Sequence, residues 1–115
     1  MQNNVIVEKS LAFAIRIVKL CRILMEDKRE YILSKQLMRS GTSIGANVRE
    51  VLQAQSRKDF LSKMNIALKE AAESEYWLVL LKESAYLSEK EYQSIAGDCA
   101  EINKILIAIV KSTKA

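Results

Sequence analysis

Gln36, Ser40, Ser43, Asn47 and Glu50 recur at steps of four, three, four and three, so on a helix they form one continuous polar stripe. A solvated helix face usually carries Lys and Glu. A line of short hydroxyls, an amide and a carboxylate points instead to a packed seam whose internal hydrogen bonds fix helix register. A solvent-facing stripe with no special role is the alternative. Arg39 and Arg49 flank this stripe, placed either to pair with Glu50 or an acidic residue of another helix, or to turn outward toward phosphate. Arg16, Lys19 and Arg22 are spaced as a basic strip on an earlier helix, and Lys35, Arg57 and Lys58 add to the same basic half. Arg16, Lys19, Arg22, Arg39 and Arg49 are therefore the candidate contacts to RNA or DNA. No aromatic side chain interleaves with them as a base-stacking platform requires, so such contact would be to the backbone.

Catalytic chemistry finds little to work with. The chain has no histidine, which removes the usual neutral-pH base and nitrogen metal ligand. No nucleophile has an identifiable base and orienting group, and no Gly-rich phosphate cradle occurs. Glu50, Glu70 and Glu73 lack the Glu-x-x-His partners of a diiron bundle. The two cysteines, Cys21 and Cys99, sit singly in apolar helical patterns and read as free buried thiols, since two isolated Cys make no zinc site. No enzyme activity, cofactor or metal is expected.

The elements that must position these residues are helices. The chain has 115 residues, no proline and only three glycines, Gly41, Gly45 and Gly97, so it lacks the turn punctuation a sheet needs. A first helix is expected from about Glu8 to Met25, with Leu11, Ala14, Val18, Cys21 and Met25 on one stripe and Phe13, Ile17, Leu20 and Leu24 beside it. That apolar arc is wider than one neighbour would need. Asp27 with Glu30 reads as a capping box for a second helix, from about Lys28 to Leu52 with Leu33, Leu37, Ile44, Val48 and Val51 inward. Its middle, RSGTSIGANVRE, is poor in helix formers, but the apolar phase runs through Gly41 from Leu37 to Val48 and favours a continuous helix over a loop at Gly41–Gly45. The small residues Gly41, Gly45 and Ala46 would let neighbouring helices approach closely.

Ser56 with Asp59 opens a third helix, whose Phe60, Met64, Ala67, Ala71, Ser74, Leu78, Leu81 and Ala85 alternate as a heptad-like seam. Tyr76 and Trp77 lie off its centre, as core or as interface. Ser88 with Glu91 opens a fourth, with Tyr92, Ile95, Cys99, Ile102, Leu106 and Ile109 inward. Short connections make sequential helices antiparallel, so the expected fold is an all-α, up-and-down antiparallel four-helix bundle, one domain over residues 1–115 with residues 1–7 and 112–115 frayed.

Charge is uneven along this bundle. Residues 1–60 carry eleven Lys/Arg against six Asp/Glu, and residues 61–115 carry seven against eight. A basic half suits an acidic partner, whether nucleic acid or protein. The amino terminus shows no signal-peptide pattern and no apolar stretch approaches the ~20 residues of a membrane span, so a cytoplasmic protein without a membrane role is expected.

LSKQLMRSGTSIGANVRE, from Leu33 to Glu50, followed by RKDFLSKMNIALKEAAESEYWL, resembles the four-helix-bundle family of S23, or 23S rRNA intervening-sequence, proteins. The family pattern of Gln, Arg-Ser, Ser-Ile, Ala-Asn and Glu is met by Gln36, Arg39-Ser40, Ser43-Ile44, Ala46-Asn47 and Glu50. Phe60 matches the Phe that opens the next helix, and Ala67 through Glu75 match its small-residue stretch with a later Glu. The likeness spans roughly residues 8–112. The chain departs from it before the second helix, where Arg29 stands near a common Pro, and after Glu50, where Val51 replaces a common Gly. The resemblance implies an up-and-down bundle that assembles as a homopentamer. Accessory variability proteins of diversity-generating retroelements look like the same family, and they bind a reverse transcriptase and nucleic acid through basic surfaces. The expected function is thus a non-catalytic oligomeric bundle that contacts RNA or DNA backbone. The rival is a protein-protein adaptor or scaffold with no nucleic-acid role.

Overall fold

A computed structural model describes residues 2–114 as four helices: α1 (Gln2–Lys28), α2 (Ile32–Val51), α3 (Arg57–Glu83) and α4 (Glu89–Lys114). Each packs on the next in sequence, and α4 returns to α1 to close the bundle, which gives the up-and-down topology. The rod measures 44 × 21 × 19 Å. Its long axis matches a helix of 27 residues such as α3, at about 1.5 Å per residue.

The core is aliphatic, as a chain with few aromatics must make it. Phe13, Ile17, Leu24, Leu37, Ile44, Met64, Leu78, Leu81, Ile102 and Leu106 are fully buried. On α1 the buried apolar set is Ile6, Phe13, Ile17, Cys21 and Leu24, with Ser10 buried beside them, so the core takes one side of the wide apolar arc and leaves Leu11 on the other. Helix α1 also starts at Gln2 rather than near Glu8, because Ile6 extends the buried stripe and holds another turn. Met1 and Ala115, expected to fray, lie outside the described residues.

Helix α2 runs unbroken through both glycines. A Cβ on Gly41 would lie 2.9 Å from two carbons of Ile17, and one on Gly45 would lie 3.4 Å from Ser10. These two residues let α1 approach α2. Ala46 does not share that role; it is exposed. Across the other side of α2, Ala67, Ala71 and Ser74 narrow α3 and are buried. Ala85 falls outside the α3 seam, in the turn after Glu83.

The helix ends explain where the sequence pattern misplaces boundaries. Ser88 and Glu91 form the full reciprocal cap: the Glu91 N–H donates to Ser88 Oγ at 3.0 Å and the Ser88 N–H to Glu91 Oε1 at 2.8 Å. At Ser56 the Asp59 N–H donates to Ser56 Oγ at 3.0 Å, but the Asp59 carboxylate accepts from Gln55, one residue earlier than a capping box requires. The Asp27–Glu30 box does not form. Glu30 itself reaches forward and accepts from the backbone N–H groups of Ile32, Leu33 and Ser34 at 3.1, 3.0 and 2.7 Å. It can do so because Arg29 adopts a left-handed φ of 56° that ends α1, with the Glu30 N–H donating back to the Leu24 carbonyl at 3.0 Å. Ala85, at φ 66°, ends α3 the same way, with Leu81 accepting from Tyr86 and Leu87. Helix ends of this kind usually use glycine.

Candidate interaction surfaces

The polar stripe of α2 divides into three environments. Ser40 is fully buried and its Oγ lies 2.9 Å from Ser74 Oγ on α3, a bond between helices. Ser43 and Asn47 are half-buried and turn onto their own helix: Ser43 donates to the Arg39 carbonyl at 2.6 Å and Asn47 to the Ser43 carbonyl at 2.9 Å. Glu50 is exposed and pairs with Lys63 at 3.2 Å, while Gln36 is exposed and makes no side-chain hydrogen bond among the described residues. One member, Ser40, therefore sits in a buried inter-helix bond, and the stripe is not a continuous network. The buried polar cluster that the sequence pattern misses lies at the α1–α2 turn. Ser34 Oγ bonds Glu30 Oε1 at 2.8 Å, and the Cys21 thiol donates to the Ser34 carbonyl at 3.3 Å. A Glu followed four residues later by a Ser was the available signal.

The five candidate cations do not share one surface. Arg16 crosses to α4, where it meets Asp98 at 2.5 Å and donates to Ser94 Oγ at 3.0 Å. Arg39 crosses to α3, bonding Glu70 at 3.2 Å and also Glu73. Glu73 accepts in turn from the Trp77 indole N–H at 3.1 Å, and Tyr76 packs edge-on against Trp77 with ring centroids 5.2 Å apart. That indole bond, opposed by partial burial and reinforced by Arg39, holds the Glu73 carboxyl below its ordinary range, so the pair stays charged. Lys19, Arg22 and Arg49 are exposed and have no ion-pair partner among the described residues.

Lys19 and Arg22 border an apolar feature. Leu11 and Ile15 are 46% and 48% exposed, at positions where a helix of a lone bundle normally carries charge. With Ala14 and half-buried Val18 they line a hollow of about 370 Å³ on the outward side of α1, rimmed by those two cations. The steps from Leu11 to Ile15 to Val18 are those of a helix-packing stripe, and here no helix of the same chain covers it.

The thiols stay out of any surface chemistry. Burial, with Glu30 nearby, pushes Cys21 up to about 12, and burial, with Glu75 and Asp98 adding repulsion, does the same for Cys99. Alkylation by a thiol reagent at pH 8 is expected to run roughly a hundredfold or more slower on the native protein than in denaturant, because little thiolate forms and neither sulfur is reached. Comparable rates in both conditions, followed by mass spectrometry, would contradict the burial. Among the described residues no group of three or more His, Cys, Asp or Glu is placed to hold a metal ion, and no helix is long and apolar enough to cross a membrane.

Comparison with known proteins agrees with this architecture. The profile of the family described as "23S rRNA-intervening sequence protein" matches residues 2–108. A crystal structure of a protein with unknown function from the S23 ribosomal protein family of Bacteroides thetaiotaomicron is 57% identical, with a TM-score of 0.95 over 96% of this chain and 99% of that one. No curated protein matches the chain significantly.

Proposed function

This chain belongs to the 23S rRNA-intervening sequence protein family, and from that premise we propose that it is a non-catalytic building block of a homo-oligomer, a pentamer, assembled through the outward face of α1. The observation that carries the reading is the outward stripe of exposed Leu11 and Ile15 with half-buried Val18. Each large aliphatic side chain removed from water contributes about 1.5–3 kcal/mol, so a helix face of this kind favours a subunit contact. A chain of this size also gains stability from association, since small bundles bury a modest share of their surface alone. The number five is supported by the family resemblance carried by Gln36 through Glu50. Light scattering across micromolar concentrations tests it: the expected mass is five times the 13.0 kDa of one chain, and a stable monomer refutes the proposal.

A second reading concerns what the oligomer holds. The exposed Lys19, Arg22 and Arg49, with the basic excess of residues 1–60, favour contact with RNA or DNA backbone, repeated around the assembly so that weak contacts add through avidity. The likeness to retroelement accessory proteins supports the same direction. Arg16 and Arg39 contribute less to it, because carboxylates already meet their charge. In a fluorescence-anisotropy titration with structured RNA and duplex DNA, binding at low salt should fall steeply on raising salt. Changing Lys19, Arg22 and Arg49 together to Gln should weaken it by about tenfold or more, while Arg39→Gln leaves it nearly unchanged. Absence of binding at low salt would leave a protein scaffold as the function.

A further inference from the structure

A groove of about 450 Å³ runs between α1 and α4, apart from the outward stripe of α1. Of the four adjacent helix pairs, α1 and α4 make the slightest contact. No short loop draws α1 and α4 together, and the seam stays partly open toward the α3–α4 turn. Its floor is aliphatic: Leu87 and Ile95 are buried, Leu20 is half-buried, and Ile23 is 51% exposed with nothing over it. The size lies in the range of about 300–1,000 Å³ typical of small-molecule sites, which pair an apolar lining with a few polar groups at the edge.

The charges at the edge have a definite balance. Arg16 borders the groove but is bound to Asp98 and Ser94. Glu91 borders it too, with its carboxylate turned onto the Ser88 N–H at the start of α4; that bond and Ser88's side chain, against slight burial, keep it ionised at lower pH than usual. Lys19 and Lys90, one on each wall, have no carboxylate partner among the described residues. With Arg16 met by Asp98 and Glu91 still charged, Lys19 and Lys90 leave the rim with a net positive excess over an aliphatic floor, which complements a molecule with the opposite arrangement.

We propose that the α1–α4 groove binds an amphiphilic carboxylate, an unbranched aliphatic chain with one anionic head. The chain covers Leu20, Ile23, Leu87 and Ile95, and the head lies between Lys19 and Lys90. Removing the chain from water supplies the attraction, and the two ammonium groups select the anion over a neutral alcohol of equal length. This site shares Lys19 with the rim of the assembly face, but none of the apolar residues Leu11, Ala14, Ile15 or Val18 borders it.

Decanoate is the probe, measured by calorimetry and by chemical-shift changes of the intact protein, with decanol as the uncharged control. The expected result is saturable binding at one site per chain, with shifts at Ile23, Leu87 and Ile95, and decanol about tenfold weaker. Changing Lys19 and Lys90 together to Gln should bring decanoate to the level of decanol without altering decanol. Ile23→Asp, at a position 51% exposed in the single chain, should abolish both, with helicity by circular dichroism and mass by light scattering expected to match the parent. Non-saturable binding, no binding because another chain covers the groove, or equal affinity for decanoate in all variants would each overturn the proposal.

Discussion

Gly41→Leu is expected to lower the stability of the bundle by about 3 kcal/mol or more, with a fall in melting temperature on the order of 10 °C. Gly41 faces Ile17, both are fully buried, and an added Cβ alone would stand 2.9 Å from Ile17 Cγ1 and Cγ2. Those atoms branch from the Ile17 Cβ, itself 3.3 Å away, so they cannot swing aside as the tip of a long side chain would. The α1–α2 distance must widen, and the loss of packing spreads to Phe13 and Ile44. Gly41→Ala should cost less, about 1 kcal/mol, because an overpacking penalty of roughly 1–3 kcal/mol is offset by the better helix propensity of alanine, worth up to about 1 kcal/mol. Combining Gly41→Ala with Ile17→Ala should lose less than the two single changes added, since the contact is shared. Denaturant unfolding checks this; an unchanged midpoint for Gly41→Leu would show that the two helices are not in close contact.

Glu30→Ala is expected to cost about 2–3 kcal/mol at neutral pH. The substitution strips the side-chain acceptor from three backbone N–H groups at the start of α2, while the buried Ser34 hydroxyl keeps only the Glu30 carbonyl, at 2.9 Å. Burial by itself would raise the Glu30 carboxyl, but bonds from Leu33, Ser34 and Ile32 outweigh it and hold the group below its ordinary 4.5. A lowered folded-state pKa means the stabilisation is complete above about 4.5 and is lost as pH falls through the lower folded value. Unfolding midpoints followed from pH 6 downward should therefore drop for the parent protein and drop less for Glu30→Gln, which starts lower. Parallel curves for the two proteins would show that this carboxylate is not linked to folding.

The apolar phase of each helix, the two later capping serines and the continuity of α2 through its glycines were all legible, because each is a local pattern with a helical period. What the pattern could not supply was which part of a wide arc faces inward. Leu11 and Ile17 look alike in sequence, and only the placement of α2 and α4 decides that Ile17 is core and Leu11 faces out. The helix ends were misjudged for a chemical reason. The three glycines stand inside helices, two of them where α1 approaches α2, while Arg29 and Ala85 take the left-handed positions that glycine normally marks. Likewise the charges of Arg16 and Arg39 could be counted but not paired. Their partners Asp98, Glu70 and Glu73 lie on other helices and become visible only when the helices are side by side.

Light scattering on the parent protein beside the double variant Leu11→Glu, Ile15→Glu tests the assembly through α1 most directly. Both positions are about half exposed in the single chain, so the variant should keep full helicity and its melting behaviour as a monomer. In an oligomer built on this face, two carboxylates per subunit would be forced into an apolar contact, a cost of several kcal/mol that no rearrangement of the rim cations Lys19 and Arg22 removes. The parent should give a mass several times 13.0 kDa and the variant a single 13.0 kDa species. Equal masses for the two, whether both monomeric or both oligomeric, would contradict it.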